Sequence, residues 1–178
     1  MKFLRLAAIA FVVLLVAGFA LAFSVYSTYS QLANYNRDAK ALFQNWEQAQ
    51  LPVRTMLSDL AEIVTPYDED AKEFALEARR ILEEAPKGQD FESRIATNFL
   101  LSKTLNDLRG LAQRYPQLKH SDLYIDWEAG YLKSQVAVES AKSGYNLAAR
   151  NYNSTLDSFS GKIIALLFTV PPKPLIPG

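Results

Sequence analysis

At 178 residues the chain has room for one domain. Lys plus Arg number 19 and Asp plus Glu number 19, so the formal charge is zero and the basic excess that a nucleic-acid binder needs to neutralise phosphates is missing. With no Cys and a single His, the chain lacks disulfides, thiolate metal sites and thiol nucleophiles and almost lacks the commonest general acid-base residue. An enzyme is therefore not expected, and neither a cofactor nor a small-molecule substrate suggests itself.

Residues Leu6 to Tyr26 carry no charge, and Leu6 to Phe23 form an uninterrupted apolar run. A helix needs roughly 20 such residues to cross the hydrocarbon of a bilayer. We read 6–26 as a transmembrane signal-anchor, with Tyr26 and Tyr29 at its interfacial end. Ala20-Leu21-Ala22 also has the small-x-small form of a signal-peptide cleavage site, so a released periplasmic binding protein is the alternative. Lys2 and Arg5 precede the span, which keeps residues 1–5 cytoplasmic and places the body outside a bacterial inner or plasma membrane.

From residue 32 the apolar positions follow a heptad. Leu32, Ala39, Trp46, Val53 and Leu60 take the a positions and Tyr35, Leu42, Ala49, Met56 and Ile63 the d positions, the seam of helix-on-helix or coiled-coil packing. Pro52 lies inside this first helix and predicts a kink. Thr65-Pro66-Tyr67-Asp68 reads as the start of a second helix, with Thr65 as N-cap, carrying Tyr67, Ala71, Phe74, Ala78 and Ile81 and stopping at Pro86-Lys87-Gly88. Asp90 caps a third helix with the stripe Phe91, Ile95, Leu101, Leu105, Leu108, Ala112 and Tyr115, ended by Pro116; Asn98 falls on that stripe and needs a partner if buried.

Ser121 or Asp122 opens the fourth helix. Tyr124, Tyr131, Val138, Tyr145, Tyr152 and Phe159 recur at seven, with Trp127, Ser134, Ala141, Ala148 and Thr155 three further on. Large rings beside small residues such as Gly130 and Gly144 suit a close helix-helix approach. No strand-type alternation appears. The fold expected is all-α: a transmembrane helix, then an antiparallel four-helix bundle over 27–168 with long first and last helices. At about 1.5 Å per residue the four rises nearly cancel, so the last helix ends near the bilayer, where Ile163, Ile164, Leu166, Leu167 and Phe168 meet headgroups or the foot of the bundle. Four of the eight prolines fall in the last eight residues, and 169–178 reads as an extended tail without a core of its own.

Tyr115-Pro116-Gln117-Leu118-Lys119, the dipeptides Tyr145-Asn146 and Tyr152-Asn153, Phe159 and the ending Ile163-Ile164-Ala165-Leu166-Leu167-Phe168 resemble the bacterial LemA family, with its YPxLK-type turn, paired YN dipeptides and terminal phenylalanine cluster. Ala78-Arg79, Tyr35-Asn36 and the membrane helix fit as well. The segment Gln50 to Leu60 departs from the family's IPNL-like stretch, as does Leu167-Phe168-Thr169 from its LFGF-like ending, which marks a divergent member. The resemblance implies a single-pass membrane protein with an extracytoplasmic helical bundle and no established enzymatic activity.

Candidate sites are few. The acidic cluster Asp68-Glu69-Asp70 with Glu73 and Glu77 lacks the loop geometry of a calcium site and suits a helix N-terminus and a solvated face. His120, beside Lys119, reads as a surface residue. Asn146 and Asn153, one heptad apart, and Asn36 after Tyr35 are expected either to form a polar ladder that fixes register between the first and fourth helices or contacts a partner, together with Tyr145 and Tyr152, or to be indifferent surface. The expected partners are the lipid bilayer and a protein, another or a second copy; the expected function is a non-catalytic scaffold or interaction role at the cell envelope.

Overall fold

The computed structural model describes residues 2–67, 69–84 and 90–177, with side chains from Ile9 onward. It is all-helical among these residues: α1 (Lys2–Val64), α2 (Glu69–Glu84), α3 (Phe91–Ala112), a 3-10 turn (Leu118–His120), α4 (Asp122–Asp157) and α5 (Phe159–Phe168). The chain divides into two compact units, 1–43 with 143–178, and 44–142.

Helix α1 runs without interruption from the apolar N-terminal stretch into the body, and Pro52 sits on its exposed side. The large apolar side chains between Ile9 and Phe23 are exposed. All five a positions, Leu32, Ala39, Trp46, Val53 and Leu60, are buried. The d positions Tyr35, Leu42, Ala49, Met56 and Ile63 are only half-buried, and the second buried row is Phe43, Gln50, Leu57 and Val64. These follow the a positions by four residues, about 40° round the helix, whereas the d positions lie about 60° the other way. The seam is thus a and e, a correction to the a/d reading that period-seven spacing could not resolve.

In the 44–142 unit, α2 offers α3 a face of small residues, Ala71, Ala75 and Ala78, all buried. Helix α3 starts as the sequence suggests: the Asp90 carboxylate accepts from the Ser93 backbone N–H at 2.8 Å and from the Ser93 hydroxyl at 2.6 Å, satisfying a donor that the helix leaves unpaired. Its stripe Ile95, Leu101, Leu105, Leu108 and Ala112 is buried, and Asn98 with it. Thr65 differs from expectation. Its hydroxyl donates back to the Ala61 carbonyl at 2.5 Å, so it closes α1, and α2 begins at Glu69. The expected stop at Pro86-Lys87-Gly88 and the acid Asp68 lie outside the described residues.

In the other unit, Tyr145 meets Phe43 edge-on at 5.4 Å and Tyr152 shares a core with Leu32, Leu156 and Ile164, so residue numbers fall along α4 as they rise along α1. The heptad stripe of α4 is buried at Tyr124, Tyr131, Val138, Tyr145 and Tyr152, but its last expected member, Phe159, is 72% exposed. The chain breaks at Ser158, whose hydroxyl caps α5 by accepting from the Gly161 N–H at 3.0 Å. Gly161 is required there, because a Cβ would stand 2.2 Å from the Thr155 carbonyl oxygen and 2.5 Å from that of Leu156. Helix α5 lies against α1, with the Ser160 and Ser24 hydroxyls 2.8 Å apart and the Phe168 and Tyr29 rings 5.9 Å apart. Of the five side chains expected at the foot of the bundle, Ile164 enters the core and Ile163 is half-buried, while Leu166, Leu167 and Phe168 are exposed, Leu166 at 85%.

Candidate functional site

The asparagines of the two YN dipeptides have a partner that sequence spacing did not suggest, the C-terminal tail. The Asn153 side chain accepts from the Lys173 backbone N–H at 2.7 Å and donates to the Lys173 carbonyl at 2.8 Å. Asn146 repeats the arrangement on Ile176, accepting its N–H and donating to its carbonyl, both at 2.9 Å. A side-chain amide carries one acceptor and two donors, so it can pair with a peptide group as a neighbouring strand would. Between these two closures Pro174, which has no N–H, has its carbonyl bound by the Tyr145 hydroxyl at 2.7 Å.

The spacing explains the fit. Seven helical residues advance about 10.5 Å, and three residues of extended or polyproline-type chain advance about 9–11 Å. A period of seven on α4 is thus met by a period of three on the tail, which the three-fold repeat of a polyproline helix presents on one side. The tail runs opposite to α4, since 173 pairs with 153 and 176 with 146.

Two side chains complete the contact. Ile176 is buried, and the Lys173 ammonium lies 4.9 Å from the centre of the Tyr152 ring. Burial holds the Lys173 pKa below its usual value, and the nearby charge of Lys40 lowers it further. The tail is thus extended and has no core of its own, but it docks on α4 through Ile176 and Lys173. Asn36 is half-buried on α1 and, among the described residues, shares no hydrogen bond with Asn146 or Asn153. The amides that a register ladder between α1 and α4 would use are engaged by the tail.

A second cluster lies in the 44–142 unit. Trp127 stacks between Tyr124 and Tyr131, at ring distances of 5.8 and 5.4 Å, and donates its indole N–H to the Met56 carbonyl at 2.9 Å. Gly130 permits this approach, because a Cβ there would meet the Met56 methyl at 3.3 Å. Arg109 forks onto Glu128, with Nε 3.0 and 3.1 Å from its two oxygens, and lies 4.8 Å above the Tyr131 ring, whose hydroxyl bonds Asn106. The guanidinium holds Glu128 below the usual carboxylate range, while burial and the Glu128 charge push Tyr124 up to about 12. Sequence periodicity marks the three rings; the Arg109–Glu128 pair is long-range and leaves no spacing signal. A cavity of about 490 Å³ beside Glu128 is lined by Gln113, Lys119, Tyr124 and Ile125.

Three of the acids of α2 form surface pairs, Glu69 with Lys72 at 3.1 Å and Glu77 and Glu84 with Arg80 at 2.6 and 3.1 Å, while Asp70 and Glu73 are exposed. His120 is exposed in the 3-10 turn.

An all-helical body continuous with one long apolar N-terminal helix defines the structural class. The chain belongs to the LemA family, whose model matches residues 48–176. That match takes in both asparagines and the tail up to Ile176, the residue that closes on Asn146. No curated protein and no solved structure matches the chain.

Proposed function

We propose that this LemA-family chain is a single-pass, membrane-anchored interaction protein of the bacterial inner or plasma membrane, with its N-terminus cytoplasmic, its body outside and no catalytic role. One observation carries the reading: the exposed apolar stretch Ile9–Phe23 belongs to the same helix that forms the core of both units. An apolar helical surface of that length is stable in hydrocarbon and costly in water. The exposed Leu166, Leu167 and Phe168 of α5, placed beside Tyr29 where the span ends, support it as an interfacial contact with lipid. The 44–142 unit is proposed to pack as an antiparallel four-helix bundle, supported by the buried stripes of α1, α2, α3 and α4.

The alternative, release after Ala22, would cut within α1. Mass spectrometry of the mature N-terminus decides between them: a chain beginning at Phe23 refutes the anchor. For the interaction role, tagged chain is captured from detergent-solubilised membranes. The expected result is stoichiometric recovery of a protein partner, another or a second copy of the chain. Capture of the chain as a lone monomer at all salt concentrations would refute it.

A further inference from the structure

We propose that the face of α4 marked by Asn146 and Asn153 is an acceptor site for the C-terminal segment of a second copy of this chain, the tails being exchanged between neighbours on one membrane. This deepens the anchored-interaction reading and rests on it, because anchoring sets every copy's tail and acceptor face at the same height above the bilayer and so raises their effective concentration.

The site reads an extended main chain. Four of its hydrogen bonds close on the N–H and C=O groups of Lys173 and Ile176, and a fifth takes the carbonyl of Pro174. Side chains add a cation on the Tyr152 ring and a buried aliphatic residue three positions later. The ligand class is thus an extended Lys-Pro-x-aliphatic segment, and Lys173-Pro174-Leu175-Ile176 is the segment seen to satisfy it. A tail from a neighbouring copy brings the same groups and would make the same bonds.

The tail is also held lightly enough to leave. Of residues 170–177, only Ile176 is buried; Pro171, Pro172, Pro174, Leu175 and Pro177 are exposed, so little apolar surface opposes its release. Burial and the like charge of Lys40 both disfavour the charged Lys173 ammonium in its docked place. At the hinge, Thr169 has φ 51° and ψ 51°, a left-handed conformation that costs a residue with a Cβ, and release lets it relax. The prolines that follow stiffen the segment and keep it extended once it is released.

The test uses two differently tagged full chains reconstituted together in phosphatidylethanolamine–phosphatidylglycerol vesicles. One carries a photo-crosslinking amino acid in place of the exposed Leu175. Illumination is expected to yield a mixed dimer with the crosslink in residues 142–157 of the other copy. Asn146→Ala with Asn153→Ala in the acceptor should lower the yield about five- to tenfold, as loss of paired hydrogen bonds does. Those substitutions alter the body, so the complementary change is made in the donor: Lys173→Pro removes the N–H that Asn153 accepts while leaving the acceptor intact, and should lower the yield similarly. Crosslinks that stay within one chain, or a mixed dimer indifferent to Lys173→Pro, overturn the proposal. Crosslinking of the tail to a different protein overturns the second-copy occupant while leaving the anchored reading standing; release of the protein by carbonate would instead refute the anchor.

Discussion

Tyr152 shows how one residue serves two contacts. Its ring is 5% exposed among Leu32, Leu156 and Ile164, and its face carries Lys173. Tyr152→Ala is expected to cost about 3–5 kcal/mol, as aromatic truncations in cores do, and Ala148→Leu about 1–3 kcal/mol by overpacking. Thermal melts of the full chain in detergent measure both; melts within a degree or two of the parent would make the stripe a surface. Glu128 gives a pH dependence. Its pKa is lowered in the folded state by Arg109, so the pair's contribution is present above the ordinary Glu pKa and is lost as pH falls through the lowered value. With both side chains about a quarter exposed, the loss should be about 1 kcal/mol. Glu128→Gln should flatten that part of the stability curve, and parallel curves for the two proteins would show that the pair contributes nothing.

Among the elements, α4 and α5 depart most from the pattern of their residues. The heptad continues numerically through Phe159, yet the helix ends at Asp157 and the chain turns at Ser158 into α5. The turn depends on Gly161. Gly161→Ala should lose about 1–3 kcal/mol, because the contacts at 2.2 and 2.5 Å are with backbone carbonyls that cannot swing aside. Hydrogen exchange is expected to show the loss concentrated in 156–168, with α3 unchanged; unchanged protection in α5 would mean the turn accommodates a Cβ. Periodicity identifies which face of a helix is apolar, but not whether the next residue continues the helix or reverses the chain. That decision lies in a cap and a steric fit between backbone groups.

For the whole molecule, the anchored reading makes two physical demands. Hydrophobic insertion is not screened by ions, so the protein should stay with membranes through high-salt and carbonate washes. Protease added to intact spheroplasts should digest the body; digestion only after lysis would reverse the proposed orientation. Neither outcome depends on tail exchange, and tail exchange can fail with both intact.

The sequence by itself determined the all-helical class, the apolar N-terminal stretch, the Asp90 cap and the buried a positions of α1, because these depend on local hydrogen bonds and on a period that repeats every few residues. It also singled out Tyr145, Asn146, Tyr152 and Asn153 as a repeating pair. Tertiary structure alone decided what those asparagines bind, since an amide is an equally good partner for a helix, a ligand or a peptide and only the path of the chain brings one of them near. The path turned on Ser158 and Gly161, which bring the tail back along α4, where a three-residue repeat of extended chain matches the seven-residue repeat of the helix. The same distinction separates the a/e seam from the a/d one: period seven fits both, and the neighbours packed against α1 select between them.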